Sequence, residues 1–481
     1  MCIDTIFAVF TKWMVLMVGI GEKVSYGLGD MASSMFWKIF GMYLLFFYTD
    51  VFGLAPAAVG TMFFVTRIWD AVNDPIFGML ADRTESRWGK FRPWLLWGAI
   101  PFSVFGVLTF AVPPQTWAPW TRLLYAYVTY TLMMMAYSAV NVPYASLLGV
   151  ISSDGKTRNS LSSYRMFFAY VGSFVALAMT EPLVRTFTER TGSVSGSWTL
   201  AVLVIGTVCT VLLLLCFRGV HERVRPSGEG GGSVREDLGD LLLHNRPWWI
   251  LLGAGVTALV FNSIRDGAAI YYFKYYVGQD SVSVAGGFFT LSSLYLMAGQ
   301  LANMAGVALS APLAGRFGKK PVYMGAMVIA AALSAVFYFL PPDRLVPIFT
   351  LQVLISICAG SIFPLLWSMY ADIADWSEWK NGRRATGLIF SSSSMSQKFG
   401  WTVGGALTGW LLSYYGFQAN EAQSAEAMQG IRAMLGWLPA VGAVLSAVFV
   451  CFYPLGDGRM AAVEKELAAR RDAAADGGAA L

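Results

Sequence analysis

Apolar runs of about 20 residues recur along this 481-residue chain, and each is long enough to cross the ~30 Å hydrocarbon core of a membrane. Charged residues make up only 13% of the sequence, against roughly 25% in an ordinary soluble domain. The pattern predicts a polytopic membrane protein with about twelve transmembrane helices. Their predicted ranges are 24–49, 56–80, 93–112, 120–151, 161–186, 197–217, 248–277, 286–313, 321–340, 345–371, 385–414 and 428–454.

The middle of the chain is polar and includes a flexible, Gly- and Ser-rich run at 227–233. We therefore predict two six-helix bundles joined by a linker. In chain order the predicted segments are an N-terminal leader over 1–23, an N-terminal six-helix bundle over 24–217, a cytoplasmic linker over 218–247, a C-terminal six-helix bundle over 248–455 and a cytoplasmic tail over 456–481.

Lysine and arginine are concentrated in the loops on one side of the predicted spans. The positive-inside rule places these loops, and with them both termini, in the cytoplasm. The opposite loops hold little beyond Arg122, Arg185, Arg190, Arg344 and Arg432.

Residue usage excludes several classes of site. The cysteines lack CxxC spacing and fall mostly inside apolar runs, so neither a disulfide framework nor a zinc site is expected. His221 and His244 both lie in the polar stretch between spans, which leaves no intramembrane histidine for a haem or metal. No span contains a nucleophile–base pair, so we predict no enzymatic activity. The basic residues are spread over short loops, which argues against a nucleic-acid partner.

One apolar run is interrupted by three charged residues, Arg67, Asp70 and Asp74. A charge at the bilayer centre costs at least ~2.5–3.5 kcal/mol on insertion scales, so three within two helical turns need a reason. Asp70 and Asp74 are four residues apart and share a helix face, with Arg67 one turn away. Together with the amide of Asn73, the carboxylates offer hard oxygens for a small cation or a proton. The alternative is a buried ion-pair network that only holds helices together.

Two loops at matching positions of the two halves are similar to each other, one at 78–93 and one at 311–321. Each combines a helix end rich in small residues, a tight glycine turn, a basic cluster and a proline that opens the next helix. A matching pair in two six-helix halves predicts a parallel-repeat transporter. The signature resembles the loop motif of the major facilitator superfamily, in which it latches the cytoplasmic gate.

Longer motifs resemble one family of that superfamily: Ser25–Asp30, Tyr48–Leu54, Arg67–Pro75, Arg87–Pro93 and Ala371–Lys380. Through them the chain resembles the melibiose permease-like family of glycoside–pentoside–hexuronide:cation symporters. The resemblance implies an all-α membrane protein of the major facilitator fold, with two six-helix halves. It also implies a multi-pass protein of the bacterial inner membrane that imports a saccharide with a monovalent cation by alternating access.

The resemblance implies a site for Na⁺, Li⁺ or H⁺ whose ligands are Asp70, Asn73, Asp74 and Ser138. Carboxylate, amide and hydroxyl oxygens suit Na⁺, so we expect Na⁺ in preference to H⁺, which needs only one carboxylate with a raised pKa. Lys398 matches the family lysine of the eleventh helix, and an unpaired ammonium there would be costly. Asp70 and Asp74 are its expected partners, and Lys398 and Arg67 are the predicted coupling residues.

The predicted sugar site departs from that of melibiose-transporting members. Aligning the motifs places Ser34, Asn141 and Ala145 where those members have two aspartates and a stacking tryptophan, so an α-galactoside is not the expected substrate. Asp30 lies one turn before Ser34 on the same face and resembles the pattern of pentoside and hexuronide members. Lys38, further along that face, either pairs with neighbouring groups or binds a uronate. The predicted sugar-binding residues are Asp30, Ser34, Lys38, Asn141, Tyr144 and Arg265.

An acidic cluster at the end of the tenth helix lies on the same predicted membrane side as the basic loop of the first half. Salt bridges between the two would close the inner gate, and a solvated, screened charge run is the alternative. The predicted gate residues are Asp82, Arg83, Arg87, Asp372, Asp375 and Glu378.

Two other functions remain open at this stage. A carrier for an amphiphile such as a lysolipid would share the fold but needs a lateral apolar opening. A non-transporting sensor would not need the intact set of Asp70, Asp74 and Lys398. The expected partners of a symporter are a small saccharide, a monovalent cation and the lipid bilayer, and we expect a monomer with no cofactor beyond the coupling ion.

Overall fold

The computed structural model describes residues 18–114, 116–152, 155–223, 245–278, 289–381 and 386–478. The described residues are 85% helical and contain no strand. The predicted all-α class is therefore confirmed. Most of the predicted linker, residues 224–244, and most of the predicted N-terminal leader lie outside the described residues.

The helices are numbered in chain order. They are α1 (Ile20–Ile39), α2 (Pro56–Asp82), α3 (Arg92–Thr109), α4 (Pro119–Ile151), α5 (Gly155–Thr191), α6 (Val194–Gly219), α7 (Arg246–Tyr271), α8 (Leu291–Phe317), α9 (Lys319–Phe337), α10 (Leu345–Asn381), α11 (Thr386–Tyr414), α12 (Ala425–Leu435), α13 (Trp437–Cys451) and α14 (Asp457–Gly478). Turns of π-helix extend α1 at Phe40–Leu44 and Phe47–Val51, and α7 at Tyr272–Val277. The helix α14 falls in the predicted tail, where the sequence analysis predicted no helix.

Within the described residues, eight helical segments are long and apolar enough to cross a membrane. They are Pro119–Ile151, Ser160–Thr191, Val194–Gly219, Arg246–Val277, Leu291–Phe317, Lys319–Phe337, Leu345–Lys380 and Ala425–Cys451. The other long helices of the predicted bundles, α1, α2, α3 and α11, are less apolar. Three of them carry predicted site residues, among them Asp30, Asp70 and Lys398. Charged candidate residues therefore account for part of the lower apolarity of these three helices.

Contacts within the chain divide it into two compact units. Unit 1 comprises Met1–Leu54, Val65–Glu229 and Ser283–Ser293, and unit 2 comprises Ala55–Phe64, Gly230–Val282 and Leu294–Leu481. Unit 1 therefore contains α1, most of α2, and α3 to α6. Unit 2 contains the first turns of α2, together with α7, most of α8, and α9 to α14. The predicted domain limits at 24–217 and 248–455 remain predictions.

Aromatic side chains form much of the core of unit 1. Phe36 of α1 is fully buried, and its ring packs edge-on against Phe102 of α3 at a centroid distance of 4.8 Å. Phe110 stacks on Phe40 at 5.8 Å and on Trp198 of α6 at 5.9 Å. These contacts fix the rotation of α1 about its axis, and with it the direction in which the predicted sugar ligands of this helix point.

Glu222, just after α6, caps the beginning of α3. Its carboxylate accepts three successive backbone N–H groups, those of Lys90, Phe91 and Arg92, at 2.9, 2.8 and 2.9 Å. An anion at this position satisfies orphan N–H groups and favours the positive end of the helix dipole. Gly89, which precedes Lys90 in the chain, has a φ of +110°, and a Cβ on it would overlap the Glu222 carboxylate. The loop sequence therefore leaves room for one partly buried carboxylate acceptor.

Unit 2 contains the same arrangement, built from different residues. Asp457, the first residue of α14, accepts the backbone N–H of Lys319 at 3.1 Å at the beginning of α9. Gly318 has a φ of +87°, and a Cβ on it would overlap the Asp457 carboxylate. The two capped turns fall in the loops 78–93 and 311–321, whose similarity led us to predict parallel repeats. This shared capping geometry supports that prediction.

Replacing Glu222 by alanine should lower stability by about 1–3 kcal/mol, because three N–H groups lose their charged acceptor. The midpoint of thermal unfolding in detergent measures the effect. Glu85→Ala removes an exposed carboxylate from the same loop and should leave the midpoint unchanged. An unchanged midpoint for Glu222→Ala would contradict the assigned cap.

Candidate functional site

Two helices of unit 1 supply the predicted cation ligands. Those on α2 are Asp70, Asn73 and Asp74, and the one on α4 is Ser138. Pro75 lies inside α2 and Pro143 inside α4. Because proline has no N–H, it leaves the carbonyl four residues earlier without its intrahelical donor. The affected carbonyls, at positions 71 and 139, belong to residues adjacent to Asp70 and Ser138.

Ser138 lies within hydrogen-bond distance of both carboxylates. Its Oγ is 3.0 Å from Asp70 Oδ1 and 2.7 Å from Asp74 Oδ1. Ser138 is fully buried and Asp70 is 1% exposed. Asn73 is buried on the same helix, and its Nδ2 has no hydrogen-bond partner within the described part of the chain. Three of the four predicted ligands are thus in direct contact, and the fourth is buried beside them.

Arg67 adds a positive charge to this cluster. Its Nη1 lies 3.3 Å from Asp70 Oδ2, and its guanidinium lies over the ring of Trp37, 4.5 Å from the centroid. Tyr130 and Tyr137 also interact electrostatically with Arg67. Arg67 therefore offsets part of the negative charge that Asp70 and Asp74 carry when both are ionised.

The predicted sugar ligand Asp30 is paired with an arginine that the sequence analysis did not identify. Arg165 Nε, on α5, lies 3.2 Å from Asp30 Oδ2, on α1. The Arg165 and Asp30 side chains are 27% and 12% exposed, so the ion pair is largely buried but still accessible at the surface of the structure. Arg165 falls inside the predicted span 161–186. Because a charge within the membrane is costly, its position alone would have identified it as a candidate functional residue.

Asn141 combines a satisfied donor with an unsatisfied acceptor. Its Nδ2 donates to Tyr137 Oη at 3.2 Å. Its Oδ1 is buried and has no partner among the residues that the structure describes. A buried acceptor without a donor costs free energy, and a sugar hydroxyl would supply that donor. Ser34 and Lys38, on α1, are partly exposed and share the helix face of Asp30.

Tyr144 lies behind the Asp30–Arg165 pair. It is fully buried, donates to the carbonyl of Tyr26 at 2.7 Å and stacks on the Tyr26 ring at 4.9 Å. The Arg165 guanidinium lies 5.2 Å from the centroid of its ring. These contacts favour a packing role for Tyr144 over the predicted contact with sugar.

Arg265 lies in a buried network of unit 2. It is 4% exposed and donates to Gln352 Oε1 at 2.8 Å and to Tyr295 Oη at 3.1 Å. Its other terminal nitrogen donates to Ser334 Oγ at 3.1 Å and to the carbonyl of Leu435. Both ends of the guanidinium are therefore occupied by neighbouring helices. This geometry favours a structural role over the predicted sugar-binding role.

The predicted gate residues occupy the ends of α2 and α10. Asp372 accepts Lys319 Nζ at 2.7 Å on both carboxylate oxygens, a salt bridge internal to unit 2. The predicted residues near the end of α2, namely Asp82, Arg83 and Arg87, are exposed, whereas Asp375 and Glu378 of α10 are partly buried. Lys319 is a partner of Asp372 that the sequence analysis did not identify. The gate itself remains a prediction.

Lys398 lies on α11 in unit 2 and is partly buried. Its carbonyl accepts Thr402 Oγ1 at 2.7 Å. The neighbouring Gln397 has a buried Nε2 with no hydrogen-bond partner in the described part of the chain. The coupling role of Lys398 remains a prediction.

Known proteins resemble the chain over almost its whole length. The sequence profile of the family described as "MFS/sugar transport protein" matches residues 25–457. The putative glycoside/cation symporter YagG of Escherichia coli K12 is 36% identical over 453 residues, covering 94% of this chain and 95% of that protein. The isoprimeverose transporter of Lactiplantibacillus pentosus is 36% identical over 439 residues, covering 91% and 89%. The crystal structure of the nucleoside transporter NupG matches with a TM-score of 0.61 at 16% identity, covering 90% of this chain and 99% of that one, which shows a common fold.

Arg265→Met should lower stability by at least about 1–3 kcal/mol, because four buried acceptors lose their donor. The midpoint of thermal unfolding in detergent tests this. Arg344→Met, at an exposed arginine of unit 2, is the matched control and should leave the midpoint unchanged. Full stability of Arg265→Met, together with lost sugar binding, would restore Arg265 to the sugar site.

Proposed function

The chain belongs to the MFS/sugar transport protein family, and we propose that it is a Na⁺-coupled symporter that carries a neutral glycoside into the cytoplasm. The family resemblance seen in the sequence is confirmed, as is the major facilitator fold with two six-helix halves. Relatives named as a glycoside/cation symporter and an isoprimeverose transporter support a sugar symporter. The coupling ion, the direction of transport and the sugar are proposals.

The position of Ser138 between Asp70 and Asp74 carries the proposal. A hydroxyl has a single hydrogen, so it can donate to only one of the two carboxylates at a time. The other carboxylate then faces a lone pair, in a buried site where like charges repel strongly. A small cation placed among these three oxygens would remove the repulsion and use every one of them.

The donor set favours Na⁺ over H⁺. A proton would neutralise one carboxylate and would need neither Ser138 nor Asn73. The Nδ2 of Asn73 has no partner in the described residues, so the amide can turn its oxygen towards a cation. The carbonyls at positions 71 and 139, which lose their intrahelical donors to Pro75 and Pro143, are further oxygens of the kind that coordinates Na⁺ in transporters.

Asp30, Arg165 and Asn141 form what we call the sugar cluster, and its balance of charge favours a neutral glycoside. Asp30 and Arg165 compensate each other at 3.2 Å, so neither charge is left for an ionic group of the substrate. Both groups still form charge-assisted hydrogen bonds with sugar hydroxyls. The buried Oδ1 of Asn141 adds an acceptor. A uronate would have to disrupt the ion pair or recruit Lys38, and an apolar cargo would leave Asn141 unsatisfied.

Symport requires both ligands to bias the same conformational equilibrium. In the proposed cycle, Na⁺ binds at Asp70, Asp74 and Ser138 and loosens the pairing of Arg67 with Asp70. The glycoside then binds beside Asp30, and access changes from one side of the membrane to the other. Lys398 responds to the charge of the carboxylates, and the predicted gate residues close the inner side. We place the monomeric protein in the bacterial inner membrane with both termini in the cytoplasm.

In proteoliposomes, addition of isoprimeverose or another neutral glycoside should produce a current on a solid-supported membrane when Na⁺ is present. Asp74→Asn keeps the shape of the side chain but removes its charge, and should lower the peak current by at least ~10-fold, since a hydrogen bond to a charged group contributes ~1.5–3 kcal/mol. Glu189→Gln removes a carboxylate that is 65% exposed and should retain the current.

The same panel includes xylosides, glucosides, galactosides and uronides, each with a Na⁺ gradient or a proton gradient. A current that requires a proton gradient and does not depend on Na⁺ would show that the coupling ion is H⁺ and contradict the proposed Na⁺ coupling. If no sugar produces a current under either gradient, the result would contradict a sugar symporter and favour an amphiphile carrier or a sensor.

A further inference from the structure

Trp37 lies on the face of α1 that carries the predicted sugar ligands. It follows Asp30 by seven residues and Ser34 by three, and these spacings place the three side chains along one side of a helix. Its neighbours Phe36 and Ile39 are fully buried, whereas Trp37 is partly exposed. A large aromatic ring thus borders the sugar cluster without being part of the packed core.

The indole of Trp37 also contacts the cation cluster, which consists of Arg67, Asp70, Asn73, Asp74 and Ser138. The guanidinium of Arg67 lies 4.5 Å from the centroid of the ring, within the range where an aromatic face attracts a cation. The same guanidinium pairs with Asp70 at 3.3 Å. Arg67 is therefore in contact with an aromatic face and a predicted cation ligand at once. A cation bound at Asp70 would compete with Arg67 for that carboxylate.

A second contact leads from Trp37 to the sugar cluster. Its ring packs against Tyr137 at a centroid distance of 5.5 Å. The hydroxyl of Tyr137 accepts the Nδ2 hydrogen of Asn141 at 3.2 Å and so orients the amide that presents an unsatisfied oxygen. Tyr137 also precedes Ser138 in the chain and interacts electrostatically with Asp30 and Asp70.

We propose that Trp37 is a positioning residue that couples the cation site to the sugar site. The proposal rests on the proposed function and specifies how its two sites communicate. Na⁺ at Asp70 releases Arg67, the guanidinium moves with the indole that it contacts, and Tyr137 shifts Asn141 into position for a sugar hydroxyl. By linkage, a bound sugar raises the affinity for Na⁺ by the same factor.

Isothermal titration of the full-length protein with isoprimeverose, a neutral disaccharide, tests this proposal. The dissociation constant is measured in NaCl and in choline chloride, and the ratio of the two values reports the coupling. For the unmodified protein we expect a ratio within the usual range of about 5–150-fold. Trp37→Leu removes the aromatic face and should bring the ratio close to unity, whereas Trp37→Phe should keep most of it.

Trp97→Leu is the matched control, because Trp97 is 51% exposed on α3 and contacts neither cluster in the pairs described above. A merely structural role of Trp37 would weaken binding in both salts and leave the ratio intact. That result for Trp37→Leu, or for Trp37→Met if the leucine variant does not fold, would overturn the proposal. An unmodified protein whose affinity for isoprimeverose ignores Na⁺ would instead contradict the proposed function.

Discussion

Two carboxylates that share one buried hydroxyl repel each other unless positive charge lies close to them. Asp70, Asp74 and Ser138 form such a group, and Arg67 compensates one of its two negative charges. In the proposed cycle, a monovalent cation binds among the oxygens of this group. A cation bound there would change the pairing of Arg67 with Asp70, and this is how the proposed symporter would make its affinity for sugar depend on an ion.

The sugar cluster differs from the cation cluster because its charges are already balanced. Asp30 and Arg165 form an ion pair between α1 and α5, and Tyr144 packs behind it. This arrangement presents hydrogen-bonding groups without a net charge, which suits a neutral cargo. Both clusters lie in unit 1, and the contact between Trp37 and Tyr137 joins them, so the proposed coupling involves only residues of that unit.

The sequence predicted the helices and the shared face of Asp70 and Asp74 because both depend on local signals. Apolar runs of sufficient length define spans, and charges four residues apart in such a run define a face. The same reasoning applied to the fifth span would have identified Arg165, which the motif alignment overlooked. Pairings between distant segments could not be predicted: Arg265 with Gln352, and Glu222 with the N–H groups before α3, depend on how helices pack. Arg265 was predicted to bind sugar because it is a polar group within the seventh span, and the sequence gives no sign of the distant partners that it contacts.

The proposed coupling of Na⁺ transport to sugar transport is tested by ²²Na⁺ uptake into proteoliposomes, driven by an inward gradient of isoprimeverose. If Na⁺ and sugar share one obligatory cycle, the sugar gradient should accumulate Na⁺ above its equilibrium level, with one ion entering per sugar. Asp70→Asn should abolish this accumulation. Sugar entry without any movement of Na⁺ would contradict the assignment of Asp70, Asp74 and Ser138 as a coupled Na⁺ site.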